Sequence, residues 1–518
     1  MKRDSNTKET KRENEPQELF FMLSEALETG FEWLLVRGNG SQAALKRDEI
    51  EVAFEKGKVF LECLTADGIK TWRINSLEKV ENSENLENQF SLAATERPNE
   101  EAEDLELIRR ISAADLLAAI KEARLEIAGR IAEIAASKID TGKIASVRLS
   151  KGIRAGEYGG NAQILLQISP GRQIAVFARV TKKGADAEAF LVSAINWFLH
   201  VSQRAKKNKP EKVEKLWLAA DKKLLGKLKK IVALLRPGWR DLITLFQVDP
   251  ENSELRELKV PEFRNLWREK ARKIKMPVEQ IPTDTAARIA EQAPDAIDIT
   301  YSAHGENLRF HGLPFARVRT LLGREKAWFR TDKKRRILEP ESAGEMLALV
   351  AELKDKRSPH ATNKDHYFYR ASPEHWLENL LCRDITQLDA NLILSPIYKQ
   401  FRASSEQIDL LALRRDGRLV VIELKVSPSR EMIFQAANYW RLIELQRRSG
   451  NLREARAFGD LEILDEPALV YLVAPALSVH RELEFWAGTI TSKIEIYRYD
   501  IHENWRENIK VLQQVKIG

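Results

Sequence analysis

The 518-residue chain has only two cysteines, Cys63 and Cys382, which excludes a disulfide framework and any metal site built from cysteines alone. It also lacks a long apolar run, because the longest one, 467–479, is interrupted by proline and too short to span a bilayer. The first eighteen residues contain no apolar core and therefore do not resemble a signal peptide. These absences predict a soluble protein of the reducing cytoplasm.

The composition is that of an ordinary globular protein, with 43% hydrophobic and 31% charged residues. The length allows about three domains. Lysine and arginine number 84 against 77 acids, a net charge of +7, so the placement of the charges matters more than their sum. The sequence predicts a tail at 1–18, which we expect to be disordered. A small β-rich module follows at 19–95, and an acidic linker continues to about 106.

The remainder of the chain contains an internal repeat. The segments 163–180 (QILLQISPGRQIAVFARV) and 409–426 (DLLALRRDGRLVVIELKV) align without a gap, and their glycines, Gly171 and Gly417, coincide. Each segment reads as a β-hairpin that is followed by a helix and a strand-helix-strand run. The order β-β-α-β-α-β is therefore predicted twice, in a first copy at 107–250 and a second copy at 356–518. A small α+β linking module is predicted between them, at 251–355.

The hairpin of the second copy carries charges where buried strands are expected. Asp409, Glu423 and Lys425 interrupt apolar runs, and such charges are costly unless they are paired or bind a metal ion. A three-residue loop, 415–417, with its glycine in the left-handed conformation would place Asp409 opposite Glu423 and Lys425 on the same face. A two-residue turn would turn Asp409 to the other face. Without metal, the alternative is a structural cluster of salt bridges.

Two facing carboxylates suit a hard divalent cation with oxygen ligands, Mg²⁺ or Mn²⁺. The helix that precedes the hairpin offers Glu374 and Glu378, one turn apart on one face. His304 and His311 lie seven residues apart without a third ligand at metal spacing, so we interpret them as surface or hydrogen-bonded histidines.

The pattern of an acidic helix residue, Asp409, then Glu423-Leu424-Lys425, followed by Gln435 and Tyr439, resembles the PD-(D/E)XK nuclease superfamily. The sequence around the two carboxylates is most similar to NucS-type and RecB-type nuclease domains. The resemblance covers about residues 365–500. One departure is Ile408, which stands where the family has a proline. The resemblance implies a Mg²⁺-dependent deoxyribonuclease that leaves 5′-phosphate and 3′-hydroxyl ends.

Under this resemblance the metal ligands are Asp409, Glu423 and the carbonyl of Leu424, and Lys425 positions or polarises the attacking water. Glu378 is preferred over Glu374 for the helix position, because its neighbours Leu377 and Leu380 are expected to face the sheet. The auxiliary polar groups are Gln435 and Tyr439.

In the first copy the corresponding positions are Gln163, Phe177 and Arg179, which cannot bind Mg²⁺ in the same way. We therefore predict a multidomain α/β (α+β mixed) protein. Its C-terminal domain has a restriction-endonuclease-like fold, and a degenerate copy of this fold precedes it in the N-terminal half. The two copies are expected to form an internal pseudo-dimer, or the chain a homodimer. Because no P-loop occurs, a motor or clamp would be a separate partner.

Lysines are concentrated at 201–240, where we expect either a merely solvated helix face or a DNA-contacting surface. The DNA endonuclease is our main functional prediction. An inactive nucleic-acid-binding scaffold and an RNA nuclease on the same fold are the alternatives. The predicted DNA-contacting residues are Lys206, Lys207, Lys222, Lys223, Lys227 and Lys230.

Overall fold

The structure is a computed structural model. It describes residues 15–28, 33–38, 42–46, 49–65, 68–79, 89–95, 102–109, 113–151, 158–181, 186–208, 212–249, 254–274, 281–302, 305–321, 324–330, 335–395 and 408–518. The chain divides into two compact units, residues 1–116 and 117–518, which are treated separately. Of the helices described, none is long and apolar enough to cross a membrane.

The first unit contains a seven-stranded antiparallel sheet with the strand order β2-β1-β7-β6-β5-β4-β3. Its elements are α1 (Pro16–Glu28), β1 (Trp33–Arg37), β2 (Gln42–Leu45), β3 (Ile50–Glu55), β4 (Lys58–Thr65), β5 (Gly68–Lys79), β6 (Gln89–Thr95) and β7 (Glu103–Arg109).

Two predictions for this unit were wrong. The sequence predicted a tail to residue 18 and strands from Leu19, but 16–28 form a helix because Leu19, Leu23 and Leu27 recur every four residues and are buried. The predicted acidic linker in fact includes β6 and β7. Counting acids hid an alternation in which Leu105 and Leu107 face the core. Residues 1–14, 80–88 and 96–101 lie outside the described residues.

The second unit begins with the first copy of the repeat. Its six-stranded sheet has the order β13-β12-β11-β10-β9-β8. The pairs β8/β9, β9/β10 and β12/β13 are antiparallel, whereas β10/β11 and β11/β12 are parallel. The elements are α2 (Ala113–Ser137), β8 (Lys143–Lys151), β9 (Tyr158–Ser169), β10 (Arg172–Arg179), α3 (Ala187–Asn208), β11 (Lys212–Ala220), α4 (Lys222–Val232), α5 (Pro237–Arg240), β12 (Ile243–Asp249) and β13 (Glu254–Leu258).

A small module follows, with a five-stranded antiparallel sheet in sequential order and two helices against it. Its elements are α6 (Asp284–Ala290), β14 (Ile297–Ser302), β15 (Gly305–Phe310), β16 (Leu313–Leu321), β17 (Arg324–Arg330), β18 (Arg335–Ile337) and α7 (Ala343–Lys356).

The second copy has a six-stranded sheet in the order β19-β20-β21-β22-β23-β24. The sequence of antiparallel and parallel pairs is the same as in the first copy, with β21/β22 and β22/β23 parallel and the other pairs antiparallel. The elements are α8 (Tyr367–Arg370), α9 (Pro373–Arg383), β19 (Leu392–Leu394), β20 (Leu410–Arg414), β21 (Leu419–Leu424), α10 (Met432–Arg448), α11 (Asn451–Glu454), β22 (Leu469–Pro475), α12 (Leu483–Ala487), β23 (Glu495–Ile501) and β24 (Val511–Ile517).

The repeated strand-and-helix order predicted from the sequence is confirmed, strand for strand, by the two sheet topologies. The predicted limits of the first copy need correction. Residues 107–109 belong to β7 of the first unit, and β13 continues the sheet beyond residue 250. Both errors have one cause: turn and charge signals mark loops well but do not show which sheet an edge strand joins.

The two copies pack against each other through their helices. One hydrophobic core contains buried residues from α3 and α4 of the first copy together with residues from α10 and α12 of the second. At its edge Leu235 pairs antiparallel with Ile490. The Arg236 amide donates to the Thr489 carbonyl oxygen (2.9 Å), and the Thr491 amide donates to the Leu234 carbonyl oxygen (2.8 Å). The two hydrogen bonds exchange under a local two-fold rotation, as in any antiparallel pair. That the copies form an internal pseudo-dimer stays a prediction.

Candidate active site

The hairpin between β20 and β21 sets the register of the charged residues. Gly417 has a φ of 87°, its amide donates to the Arg414 carbonyl oxygen (2.8 Å), and the Arg414 amide donates to the Arg418 carbonyl oxygen (2.8 Å). This is the predicted three-residue loop with a left-handed glycine. Leu410 pairs with Ile422, so Asp409 and Glu423, one step further along each strand, face each other.

The carboxylates lie on the face of the sheet that α10 covers. Residues Leu411 and Val421 on this face belong to the core shared with α10, whereas Leu410 and Ile422 pack on the opposite side with α9. Because side chains alternate along a strand, Asp409, Glu423 and Lys425 project on the α10 side. The α10 residues Gln435 and Tyr439 are half-buried on that side.

Specific contacts hold the charged groups in place. The Leu424 amide donates to Asp409 Oδ2 at 2.8 Å, and Lys425 Nζ donates to Glu423 Oε1 at 2.8 Å. Glu423 is only 1% exposed, and its other oxygen, Oε2, has no hydrogen-bond partner among the described residues. The Gln435 Oε1 atom is likewise buried and unpartnered there. Buried oxygens of this kind are ready acceptors for a cation.

Burial and mutual repulsion disturb the ionisation of the site. Burial raises the pKa of Glu423 to about 8, and the facing Asp409 adds to this rise while Lys425 opposes it. Burial also raises the pKa of Asp409. For Lys425, burial disfavours the charge, but the carboxylates of Glu423, Asp409 and Glu374 outweigh it and the net shift of its pKa is upward. The two facing carboxyl groups resist ionisation while they are buried together, and a bound divalent cation would favour their charged form.

The helix α9 carries both candidate glutamates. The charge of Glu374 contributes to the pKa shifts of Asp409, Glu423 and Lys425. This supports Glu374 for the helix position, while the preference for Glu378 that the sequence suggested stays a prediction.

The start of α9 is held by Arg357, which is completely buried. Its guanidinium donates to the carbonyl oxygens of Ala371 (2.7 Å) and Ser372 (3.5 Å), directly before the helix. It also donates to carbonyls of the small module, those of Phe310 (2.9 Å) and His311 (2.8 Å). This residue, which the sequence analysis missed, joins the module to the helix that carries Glu374.

A small recess, open to solvent, lies beside Lys425. Apart from Lys425, the sequence analysis missed its polar residues, although Arg498 gives the same signal as the catalytic candidates, a charge inside a largely buried strand. Arg498 contacts Asp500 (3.0 Å) and Glu484 (3.2 Å), and burial lowers the pKa of His480. The polar lining residues are Lys425, Ser427, Ser429, Ser478, His480 and Arg498.

The first copy has the same register with different side chains. Phe177 lies opposite Gln163, as predicted, and is completely buried against the rings of Phe190 (5.1 Å) and Trp197 (6.0 Å). An aromatic ring at this position offers no ligand atom for a hard cation.

The predicted DNA-contacting lysines fall into two groups. The side chains of Lys206 and Lys207 lie outside the described residues. On α4 the leucine face is buried, Lys222, Lys223 and Lys227 are exposed, and Lys230 Nζ lies 2.6 Å from Glu269 Oε1. That these lysines border the catalytic cleft stays a prediction.

Of the two histidines, His304 lies outside the described residues. His311 is stacked on the Trp376 ring (5.1 Å), and burial lowers its pKa to about 4. It is a neutral packing partner at neutral pH and not a surface histidine, and its Nδ1 is buried without a hydrogen-bond partner among the described residues.

In the part of the chain that the structure describes, no three His, Cys, Asp or Glu side chains converge closely enough to hold a metal ion by themselves. The site offers two facing carboxylates, the orphan Oε2 of Glu423 and the Leu424 carbonyl. This set fits Mg²⁺ or Mn²⁺, since Mg²⁺ usually takes one or two carboxylates and keeps several of its waters.

Protein-family models and curated proteins give no match to the chain. Similar solved structures include an XisH family protein from Nostoc punctiforme, with 16% identity over 26% of this chain and 99% of that one, TM-score 0.17. EndoMS in its apo form has 15% identity over 45% of this chain and 94% of that one, TM-score 0.13. A repair endonuclease from Pyrococcus abyssi has 14% identity over 46% and 98%, TM-score 0.13. Scores this low carry no argument about function. The multidomain α/β architecture is confirmed by the observed sheets and helices.

Proposed function

We propose that the second copy is a metal-dependent nuclease domain that hydrolyses DNA phosphodiester bonds. The observation that carries this proposal is the pair of facing carboxylates, Asp409 and Glu423, with Lys425 held 2.8 Å from Glu423 inside an apolar sheet. A structural salt bridge would need one acid for one lysine. The additional carboxylates of Asp409 and Glu374 leave the site with an excess of negative charge that a divalent cation would neutralise.

In this proposal Asp409, Glu423 and the Leu424 carbonyl hold Mg²⁺ or Mn²⁺. The bound cation would stabilise the developing charge on the phosphate and lower the pKa of a water molecule. Lys425, whose upward pKa shift keeps it protonated, holds the attacking water or the phosphate oxygen by donating a hydrogen bond. Gln435, whose Oε1 is buried without a hydrogen-bond partner among the described residues, would accept a hydrogen bond from a water molecule. Tyr439, one turn further along α10, is the second auxiliary polar group in this proposal.

In this proposal the DNA backbone approaches the site along the surface around the recess beside Lys425. Ser427, Ser429 and Arg498 line it and supply hydroxyl and guanidinium donors, which are the groups that proteins use against phosphate oxygens. The exposed lysines of α4, Lys222, Lys223 and Lys227, add a sequence-independent attraction for the backbone.

The test is a cleavage panel with the full chain. Supercoiled plasmid, linear duplex, single-stranded DNA and RNA are incubated with Mg²⁺, Mn²⁺ or EDTA, beside the variant Asp409→Asn. We expect DNA cleavage that requires a divalent cation and that is lost in the variant. Matching cleavage by Asp409→Asn would show a contaminating or different active site.

Two other outcomes separate the alternatives. Preferential cutting of RNA would assign the same site to an RNA nuclease. Tight DNA binding without cleavage under any metal condition would indicate a binding scaffold. Plasmid nicking distinguishes an endonuclease from an exonuclease, which needs an end.

A further inference from the structure

The small module between the two copies contacts α9 through a tight turn. The turn joins β15 to β16, and both of its residues, His311 (φ 43°) and Gly312 (φ 78°), have the left-handed backbone conformation. A Cβ atom on Gly312 would lie 2.2 Å from the carbonyl oxygen of His375, in the first turn of α9. The His311 ring stacks on Trp376 with an angle of 10° between the ring planes. Only glycine therefore allows the turn to approach the helix this closely.

Arg357 fixes the other side of this junction. It directly follows α7 of the module, and its guanidinium lies 4.7 Å from the centre of the Trp376 ring. Ser372, the residue before α9, is also left-handed (φ 43°), a conformation that residues other than glycine keep only where their surroundings hold it. The guanidinium donates to carbonyl oxygens of the module and of the segment before α9, those of Phe310, His311, Phe368, Ala371 and Ser372.

The module holds α9 a second time, further along the helix. The Asp298 carboxylate, on β14, accepts hydrogen bonds from Asn379 Nδ2 and from Arg383 Nη2 (3.1 Å). Arg383 is the last residue of α9. The module thus contacts both ends of the helix, which cannot slide along its axis without breaking one set of contacts.

The helix α9 in turn packs against the strands that carry the candidate metal ligands. The core on this side of the sheet contains Trp376 and Leu377 of the helix together with Leu410 and Leu424 of the hairpin. The amide of Leu424 donates to Asp409 Oδ2 (2.8 Å), and its carbonyl belongs to the proposed ligand set. Because protein interiors are close-packed, a displacement of α9 is transmitted to Leu424 and through its backbone to Asp409.

We propose that the small module positions α9 for metal binding, and that Arg357 and the turn His311-Gly312 are its positioning groups. They lie on the α9 side of the sheet, away from the facing carboxylates, and act on the site through α9 and Leu424. The first turn of α9, which the module holds, also carries Glu374. This inference rests on the proposed function for the presence of a metal ion.

The experiment measures the dissociation constant of Mn²⁺ for the full chain by titration calorimetry without DNA, well below the melting temperature of every variant. In Gly312→Ala the added methyl group collides with the His375 carbonyl and displaces the first turn of α9, so we expect Mn²⁺ to bind about tenfold more weakly. The matched control is Gly459→Ala, because Gly459 is also left-handed (φ 65°) but a Cβ atom there meets nothing within 4 Å. We expect this control to lose stability and to bind Mn²⁺ within about twofold of the natural chain.

His311→Asn covers the case in which Gly312→Ala does not fold. Asparagine tolerates the left-handed conformation but removes the ring that stacks on Trp376, and we expect the Mn²⁺ affinity to fall by about threefold. A purely structural role would lower the melting temperature and leave the Mn²⁺ affinity of the folded chain unchanged. That result in the variants that fold would overturn the proposal.

Plasmid cleavage by the same variants is a separate measurement. If the natural chain cuts DNA and the folded variants bind Mn²⁺ as it does, the positioning role fails and the nuclease proposal stands. If the Mn²⁺ affinity falls as expected but the natural chain cuts no nucleic acid, the positioning role stands and the nuclease proposal fails.

Discussion

The two copies have the same sheet topology and the same hairpin register, yet their central positions carry opposite chemistry. In the second copy Asp409 faces Glu423, whereas in the first Gln163 faces Phe177. Phe177 stabilises its domain by burying a ring against two others, while Glu423 keeps an oxygen buried without a partner among the described residues. The fold therefore does not require acids at this position.

The comparison separates what serves stability from what serves chemistry. Burying a phenyl ring stabilises a domain by several kcal/mol, whereas burying a carboxylate that faces another carboxylate costs free energy in the absence of metal. This cost supports the proposal that the charged set of the second copy binds a metal ion.

The largest expected effect is on cleavage. Asp409→Asn removes a negative ligand without changing the size of the side chain, and we expect a loss of about 10³-fold or more in cleavage with Mn²⁺. Gln163→Ala, at the matching position of the first copy, should cut within about twofold of the natural rate. Equal losses in both variants would mean that the two copies contribute to one site, and would end the distinction drawn between them.

The next effect concerns stability in the first copy. Phe177→Ala should lower the free energy of unfolding by about 3–5 kcal/mol, because it leaves a cavity beside Phe190 and Trp197. Urea unfolding followed by tryptophan fluorescence measures this loss. Phe177→Leu is the control and should lose far less. A negligible loss for the alanine variant would show that this position is not the core position that we describe.

A smaller effect separates the helix glutamates. Glu374→Gln should reduce cleavage by roughly 10- to 100-fold, since its charge supports the ligands from a distance. Glu378→Gln, one turn along the same helix, should stay within a few-fold of the natural chain. Steady-state cleavage at saturating Mn²⁺ measures both. The reverse order of the two losses would restore the preference that the sequence alone suggested.

The last effect concerns the pH dependence of stability without metal. The pKa of Glu423 rises from 4.5 to about 8 on folding, so the folded chain holds a proton that the unfolded chain releases between these values. Stability in EDTA should therefore fall as pH rises from 5 to 9. Glu423→Gln should flatten this dependence and be the more stable protein at pH 9. A natural chain that becomes more stable over this range would contradict the raised pKa.

Much of the site could be predicted because it is local in sequence. The loop 415–417 selects a turn type, the turn sets the register, and alternation along the strands then places Asp409, Glu423 and Lys425 on one face. The helix glutamate could not be chosen in this way. Glu374 and Glu378 share one face of α9, so only the docking of the helix on the sheet decides between them.

By itself, the sequence determined the repeated hairpin, its register and the loss of carboxylates in the first copy, since these follow from turn chemistry and from residue identity at matched positions. Only the tertiary structure decided that Arg357 holds the start of α9 and that the copies join through one core. The physical reason is the separation in sequence between the residues that interact. Turns and alternation act between neighbours in the chain, whereas helix docking depends on packing between residues far apart in sequence, which no local pattern records.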